Sequence, residues 1–267
     1  MTLEQLTNEF ERARPQLKSY IVRITASVQD TEDIVQDTFI KASEKMETFR
    51  GDSSVKTWFF AIASNLAKDN LRAKKRWVEN VTDICKAQAL SSPDYFREVM
   101  EIQQESSHGQ FEIREHIAFC FTCIAKSLPL EHQLCLLLKE VYEFKVSEIS
   151  TIMEITEAMV KYHLHTGRSK MITIFDGRCA LINKEGVCHQ CSELNGIFNS
   201  KQQFEIEKNK IEFAKLAETS DKEHLLDLRL KLIQEIDPFN ANGSDLQLHH
   251  LEFNRNVMEN ITKKNEH

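Results

Sequence analysis

An all-α chain is what the sequence predicts, on three observations. Breakers are scarce, with 7 Gly and 4 Pro among 267 residues. Glu, Lys, Leu and Ile are plentiful, a composition that favours helix. Apolar residues recur at steps of three and four, the period of a helical face. The length suits two small domains plus an extension, or one large domain. Composition divides it into residues 1–78, 79–110, 111–173 and 174–267, with no internal repeat.

The first block is helical over about residues 3–76. Leu17, Ile21, Ile24 and Val28 recur at helical spacing, and Asp30 or Thr31 is expected to cap the next helix. Glu32 and Asp33 then fall in its first turn, where the helix dipole favours acid. A turn at Arg50-Gly51-Asp52-Ser53-Ser54 precedes a long helix over about 55–76. Residues 79–110 are acidic and hold Ser91-Ser92-Pro93 and Ser106-Ser107-His108-Gly109, the marks of a flexible linker.

In the second block, Pro129 fits a first helical position ahead of Leu134, Leu137, Leu138 and Val141. Ser147 is expected to cap a short helix carrying Ile149, Ile152 and Met153. Thr156 is expected to cap another running to about Met171, with Glu157 in its first turn. Two helices across a tight connection, the second ending in cations, form the helix-turn-helix pattern that reads a major groove. Beyond Gly177 lies an extension in which Leu225, Leu228, Leu232 and Ile236 make one apolar stripe before a break at 238–244.

The net charge of −7 is unevenly spread. Residues 1–78 carry +2, 79–118 carry −5, 119–175 are neutral and 176–267 carry −4. DNA affinity depends on local phosphate neutralisation, so the total does not exclude it. No apolar run approaches the roughly 18 residues of a membrane span, and the N-terminus lacks a signal-peptide core. The seven cysteines form no even framework, so a cytoplasmic protein without membrane attachment is expected. No catalytic triad, phosphate-binding glycine loop or metal-binding helix motif occurs, and no enzyme is expected.

Two surfaces stand out in the first block. Val35, Phe39 and Ala42 share one helical face while Asp33, Gln36 and Asp37 share the other, suited to a basic partner. Periodicity alone favours a plain solvated face. On the long helix, Phe59, Ile62, Ala63 and Leu66 are expected to be buried, and Asn65, Asp69, Arg72 and Arg76 line a second stripe. Residues 68–76 hold five positive charges and one negative, beside Trp58, Phe60 and Trp77. Cations neutralise phosphates and aromatics stack bases, as single-stranded DNA requires.

The ordered text Asp30-Thr-Glu-Asp-Ile-Val-Gln-Asp-Thr-Phe-Ile-Lys-Ala, then Phe49-Arg50-Gly51, then Thr57-Trp-Phe-Phe-Ala-Ile-Ala-Ser-Asn-Leu-Ala-Lys-Asp-Asn-Leu-Arg72 closely resembles the extracytoplasmic-function (ECF) group of bacterial sigma factors. The resemblance implies a helical region-two domain and a helix-turn-helix (winged-helix-like) region-four domain, on either side of the flexible linker and ahead of the helical C-terminal extension that composition and periodicity mark. It implies a promoter-recognition subunit whose partners are promoter DNA and core RNA polymerase, through the β′ clamp helices and the β flap. An anti-sigma factor is a further candidate partner. Asp33, Gln36 and Asp37 would face the clamp helices. The loop with Phe49, Arg50, Asp52 and Ser53 would capture an unstacked base of the −10 element. Asn65, Asp69, Arg72, Lys75 and Arg76 would lie along the same DNA. Extrusion of a base costs a few kcal/mol and needs a pocket to receive it.

In the second block Glu148-Ile149 and Val160-Lys161 fall where that family has its helix-turn-helix, implying that Lys161, His163 and Arg168 face the −35 element. Here the chain departs from the pattern. Glu154 stands where the family usually has Gly, and Tyr162, His163, His165 and Thr166 replace a helix commonly richer in Ser and Arg. The rival reading is a helix-turn-helix regulator acting on duplex DNA without polymerase.

The surroundings of Cys120 and Cys123 read as a buried helix, and Cys135 as a core residue. Cys179, Cys188 and Cys191 sit in a turn-rich stretch, and Cys188-His-Gln-Cys191 has the spacing of a zinc half-site. A structural zinc, a thiol-responsive role and plain structural cysteines all stay open there. No cofactor is required for the function itself.

Overall fold

A computed structural model describes residues 1–74, 81–105, 113–178, 221–241 and 243–264. Three helices form the first domain: α1 (Leu3–Thr25), α2 (Val28–Glu44) and α3 (Val55–Ala73). Thr2 and Gln5 cap α1 reciprocally, each side chain accepting the other's backbone N–H at 3.2 and 2.9 Å. Ala26 closes α1 in the left-handed conformation, φ 56°.

Ser27, rather than Asp30 or Thr31, caps α2 by accepting the Asp30 N–H at 3.1 Å. The nearly buried Asp30 carboxylate instead accepts from Lys74 Nζ at 2.6 Å, tying the start of α2 to the end of α3. Ser54 caps α3 through the Thr57 N–H at 3.0 Å. Leu6, Leu17, Ile21, Ile24, Phe59 and Ala63 are sealed between the three helices. Ile62 and Leu66, expected inside, are only half-buried. Phe60, Ala67 and Leu71 are buried in their place, because α3 packs on α1 and α2 on one side and on the second domain on another.

Within the expected linker, 79–110, the described residues 81–105 are largely helical. They contain α4 (Val81–Leu90) and α5 (Pro93–Glu105). Val81, Cys85, Tyr95 and Val99 bury an apolar face against α11 (Ser244–Lys264), where Leu246, Leu251 and Phe253 meet them. Acidity keeps the outer face wet but does not prevent an amphipathic helix from packing.

The second domain comprises α6 (Ile113–Ala125), α7 (Leu130–Leu136), a π-helical turn over Leu137–Val141, α8 (Val146–Met153) and α9 (Glu157–Arg178). Helix α8 begins one residue before Ser147, and the Lys145 N–H donates to Glu148 Oε2 at 2.8 Å. Thr156 caps α9 as expected, accepting the Met159 N–H at 3.3 Å. A Cβ on Gly167 would lie 2.9 Å from Leu136 Cδ1, so the bare glycine permits the close approach of α7 and α9. Among the described residues there is no strand, and this domain carries no wing there.

In the extension, α10 (Lys222–Glu235) starts at Asp221, which accepts the His224 N–H at 2.8 Å. Leu226, Leu230 and Ile233 of α10 and the following Ile236 join the core that the two domains share. The turn after them falls within the expected break. Both domains and the described extension thus form one packed body. Among the described residues no helix is long and apolar enough to cross a membrane.

Candidate nucleic-acid interface

Helix α2 presents Asp33, Gln36 and Asp37 to solvent while Ile34, Val35, Thr38 and Ala42 face the core. None of the three exposed side chains makes an ion pair or side-chain hydrogen bond among the described residues. Ile40, 44% exposed, continues the same face one turn on from Gln36 and Asp37. Two carboxylates, an amide and an aliphatic side chain therefore stand together and unpartnered.

The loop between α2 and α3 is anchored by aromatic stacking. Phe49 lies on Trp58 with ring centroids 4.8 Å apart, and Trp58 in turn on Phe59 at 6.0 Å. Arg50, Gly51 and Asp52 project into solvent, with Ser53 half-buried. Gly51 adopts φ +78°, in the region that penalises any side chain. Phe49 thus braces the loop, while the polar residues after it remain accessible.

Along α3, Asp69 and Arg72 are exposed and paired at 3.3 Å. Asn65 is half-buried, and its Nδ2 donates to Glu154 Oε1 at 3.3 Å. Phe60 is fully buried and unavailable to stack a base; its ring meets Phe144 at 4.8 Å and Tyr142 at 5.7 Å. Lys75, Arg76 and Trp77 lie outside the described residues, as do Cys179, Cys188 and Cys191.

Helix α9 separates its expected contacts into inside and outside. Lys161 is exposed. His163 is 9% exposed and packs on His132, ring centroids 4.8 Å apart, so it does not face outward as expected. Val160, His163, Gly167 and Met171 form the inner stripe; Met159, Tyr162 and His165 stand outside with Lys161. Had the apolar-or-small positions 160, 167 and 171 been used to phase this helix, His163 would have fallen inside and Tyr162 outside.

Arg168 is held by two carboxylates, Glu140 at 2.9 Å and Asp227 of α10 at 2.6 Å. Partial burial would weaken its charged form; hydrogen bonds and charge from Asp227 and Glu140 outweigh that and raise its pKa. It is therefore engaged within the chain. Glu154 occupies the turn between α8 and α9 at φ 57°, which accounts for the preference for Gly that this chain lacks. Among the described residues no group of His, Cys, Asp or Glu is arranged to hold a metal ion. Cys85, Cys120 and Cys135 are in no disulfide among the described residues, and burial pushes the Cys135 thiol up to about 12.

Known proteins match the same two blocks. The family "Sigma-70 region 2" covers residues 10–77 and "Sigma-70, region 4" covers 118–171. Pseudomonas aeruginosa RNA polymerase sigma-H factor is 28% identical over 148 residues, which are 55% of this chain and 74% of that protein. The ECF RNA polymerase sigma-E factor of Escherichia coli K12 is 29% identical over 140 residues, 52% of this chain and 70% of that protein. The sigma factor RpoE from Bartonella quintana, solved with the anti-sigma factor NepR, aligns over 64% of this chain and 96% of that one, with 17% identity and TM-score 0.42. A region-two helical unit followed by a region-four helix-turn-helix defines the class as sigma factors of transcription initiation. Within that class, the chain is similar to the ECF sigma factors, the sigma-E factor of Escherichia coli K12 among them.

Proposed function

We propose that this alternative sigma factor joins core RNA polymerase through the Asp33–Gln36–Asp37 face of α2 and directs promoter recognition and opening in the cytoplasm, with no catalytic step of its own. The single observation that carries the reading is that face: exposed, acidic, unpartnered and within region 2. Its carboxylates suit a basic helical partner such as the β′ clamp helices, while region 4 would reach the β flap. Promoter DNA would run along the Arg50–Ser53 loop and the exposed Asp69–Arg72 end of α3. Trp58 and Phe49 hold that loop against α3, so a captured base would meet a preformed rim rather than a slack segment.

At the −35 element the exposed stripe of Lys161, Tyr162 and His165 fits a major groove better than His163 does. Initiation then follows from positioning, since the polymerase performs phosphodiester synthesis. For Cys179, Cys188 and Cys191 a structural zinc is one reading of the spacing, and metal analysis of the purified chain decides it.

Run-off transcription from genomic fragments with core polymerase tests the function, and the triple substitution Asp33→Ala, Gln36→Ala, Asp37→Ala tests the docking. Association should weaken about tenfold or more, roughly 1.4 kcal/mol per decade, with the melting temperature unchanged. Unaltered polymerase affinity would refute the docking assignment. Duplex binding with no polymerase-dependent transcript would instead favour the regulator.

A further inference from the structure

Among the described residues seven large apolar side chains stand exposed, and two of them share one turn of α9: Met159 at 43% and Tyr162 at 55%. Both lie close behind Thr156, the cap that opens the second helix of the helix-turn-helix. The buried stripe of Val160, His163, Gly167 and Met171 fixes the rotation of that helix. At about 100° per residue, Ala158, Tyr162, His165 and Ser169 run along the middle of the outer side, with Lys161 on one flank and Met159 on the other. Tyr162 is braced from beneath. Its ring meets His132 of α7 edge-on at 6.0 Å and His163 at 5.4 Å. A braced aromatic ring offers a fixed apolar surface that loses little entropy when it is covered.

Between Thr156 and Ser169 the same side carries no exposed Arg, Asn or Gln, the side chains that pair in bidentate fashion with guanine and adenine edges. Arg168, the one guanidinium in that span, is half-buried and held by Glu140 and Asp227. Lys161 is exposed and can donate to guanine O6 and N7. What an apolar side chain can recognise in a major groove is the 5-methyl group of thymine. We propose that α9 reads duplex DNA chiefly through thymine methyl groups, which Tyr162 and Met159 cover, while Lys161 supplies the cationic base contact. The inference rests on the assignment of α9 to the −35 element and names the base chemistry that element must carry.

Position along the helix supports the division of labour. A recognition helix touches base edges with its N-terminal residues, so Ala158, Met159, Lys161 and Tyr162 meet the bases, while His165 and Ser169 lie one and two turns further on. The two apolar readers differ in kind. Tyr162 is held in place and sets the register, whereas the flexible thioether of Met159 fills whatever gap remains. Discrimination then has two sources. Thymine gains from burial of its methyl group, and cytosine in its place presents an N4 amine that an apolar surface strips of water without pairing it. One methyl group removed from water is worth roughly fourfold in affinity.

The test uses the full chain with core polymerase, on a genomic fragment from which the pair makes a run-off transcript. Thymines in the upstream, −35 half of that promoter are replaced by deoxyuridine, which removes the methyl group and keeps every base-pairing hydrogen bond. Affinity for the fragment should fall roughly fourfold for each thymine contacted. Tyr162→Phe should show the same fall, because the ring remains. Tyr162→Ala combined with Met159→Ala should bind the thymine fragment more weakly and no longer distinguish it from the deoxyuridine fragment. The melting temperature should stay that of the parent, since both side chains are exposed. Equal binding of the two fragments by the parent overturns the proposal, as does an undiminished fall in the double variant. Unrelated sequence throughout the upstream half separates the premise. If it weakens binding where deoxyuridine does not, methyl readout alone fails; if it leaves affinity unaltered, the assignment of α9 to the −35 element fails and the proposal with it.

Discussion

The two working surfaces of the first domain differ in what covers them. The face of α2 with Asp33, Gln36 and Asp37 is bare, whereas α3 is overlaid from Thr57 to Asn65 by α8. Both faces belong to one small helical unit and share its core, so neither owes its state to local disorder. The contrast bears on the proposed assignments: a protein partner would find its face of α2 bare, whereas DNA along α3 would meet a helix already bonded to Glu148 and Glu154.

The hardest blow to that contrast is Phe144→Ala. Phe144 is 3% exposed and closes the seam on Phe60, with Lys56 Nζ 4.9 Å from its ring centroid. Large-to-small changes of buried Phe cost about 3–5 kcal/mol. Urea unfolding should show a loss of that size, with the Asp33–Asp37 face still able to bind polymerase. A loss below about 1 kcal/mol would mean that the seam is not a stabilising interface, and α3 would be as open as α2.

Acid should loosen the chain from the opposite side. Burial lowers the His116 pKa to about 4, and burial with neighbouring His249 and His116 lowers His250 to about 3. Tyr95 OH hydrogen-bonds His250 Nδ1, while Glu98 and Glu252 act on His249. These folded pKa values lie below the unfolded 6.5, so the folded state disfavours the proton. Their contribution is complete above pH 6.5 and is lost as pH falls towards the folded values. For His116 this amounts to about 3 kcal/mol across the window from 6.5 to 4. Denaturation midpoints should fall with pH there, and His116→Gln should flatten the slope. An unchanged slope in the variant would remove His116 as its source.

How far the sequence revealed this depended on whether a face meets one neighbour or two. The α2 face was legible because one apolar side meets the core and the other meets water, so period 3.6 separates them. Helix α3 packs on both its own domain and α8, and a single stripe could not describe it; hence Phe60, Ala67 and Leu71 displaced Ile62 and Leu66 inside. The packing of residues 81–105 was hidden for another reason: their partner α11 begins at Ser244, and local composition carries no record of so distant a surface. The resemblance to sigma factors located the two domains but was silent on α10 and Asp227, which lie beyond both matched regions. Gly167→Ala isolates the second domain's own packing, since a methyl 2.9 Å from Leu136 must push α7 from α9. Overpacking of this kind costs about 1–3 kcal/mol, and thermal melting should register it with no change in polymerase affinity.

The smallest effect is expected at Gly51, where the contrast can be sharpened within one domain. Nothing lies within 4 Å of a Cβ built there, so alanine would meet no neighbour, and only its φ of +78° is penalised. The cost is about 1 kcal/mol, felt in the loop between Phe49 and Ser54 rather than in the core. Gly51→Ala should therefore leave polymerase binding through α2 intact and lower the rate of promoter opening, measured by reactivity of unpaired thymines with core polymerase present. Because the Phe49–Trp58 stack fixes the loop's near end, the altered backbone must appear at Arg50, Asp52 and Ser53. Equal opening rates for both chains would place base capture elsewhere on the first domain.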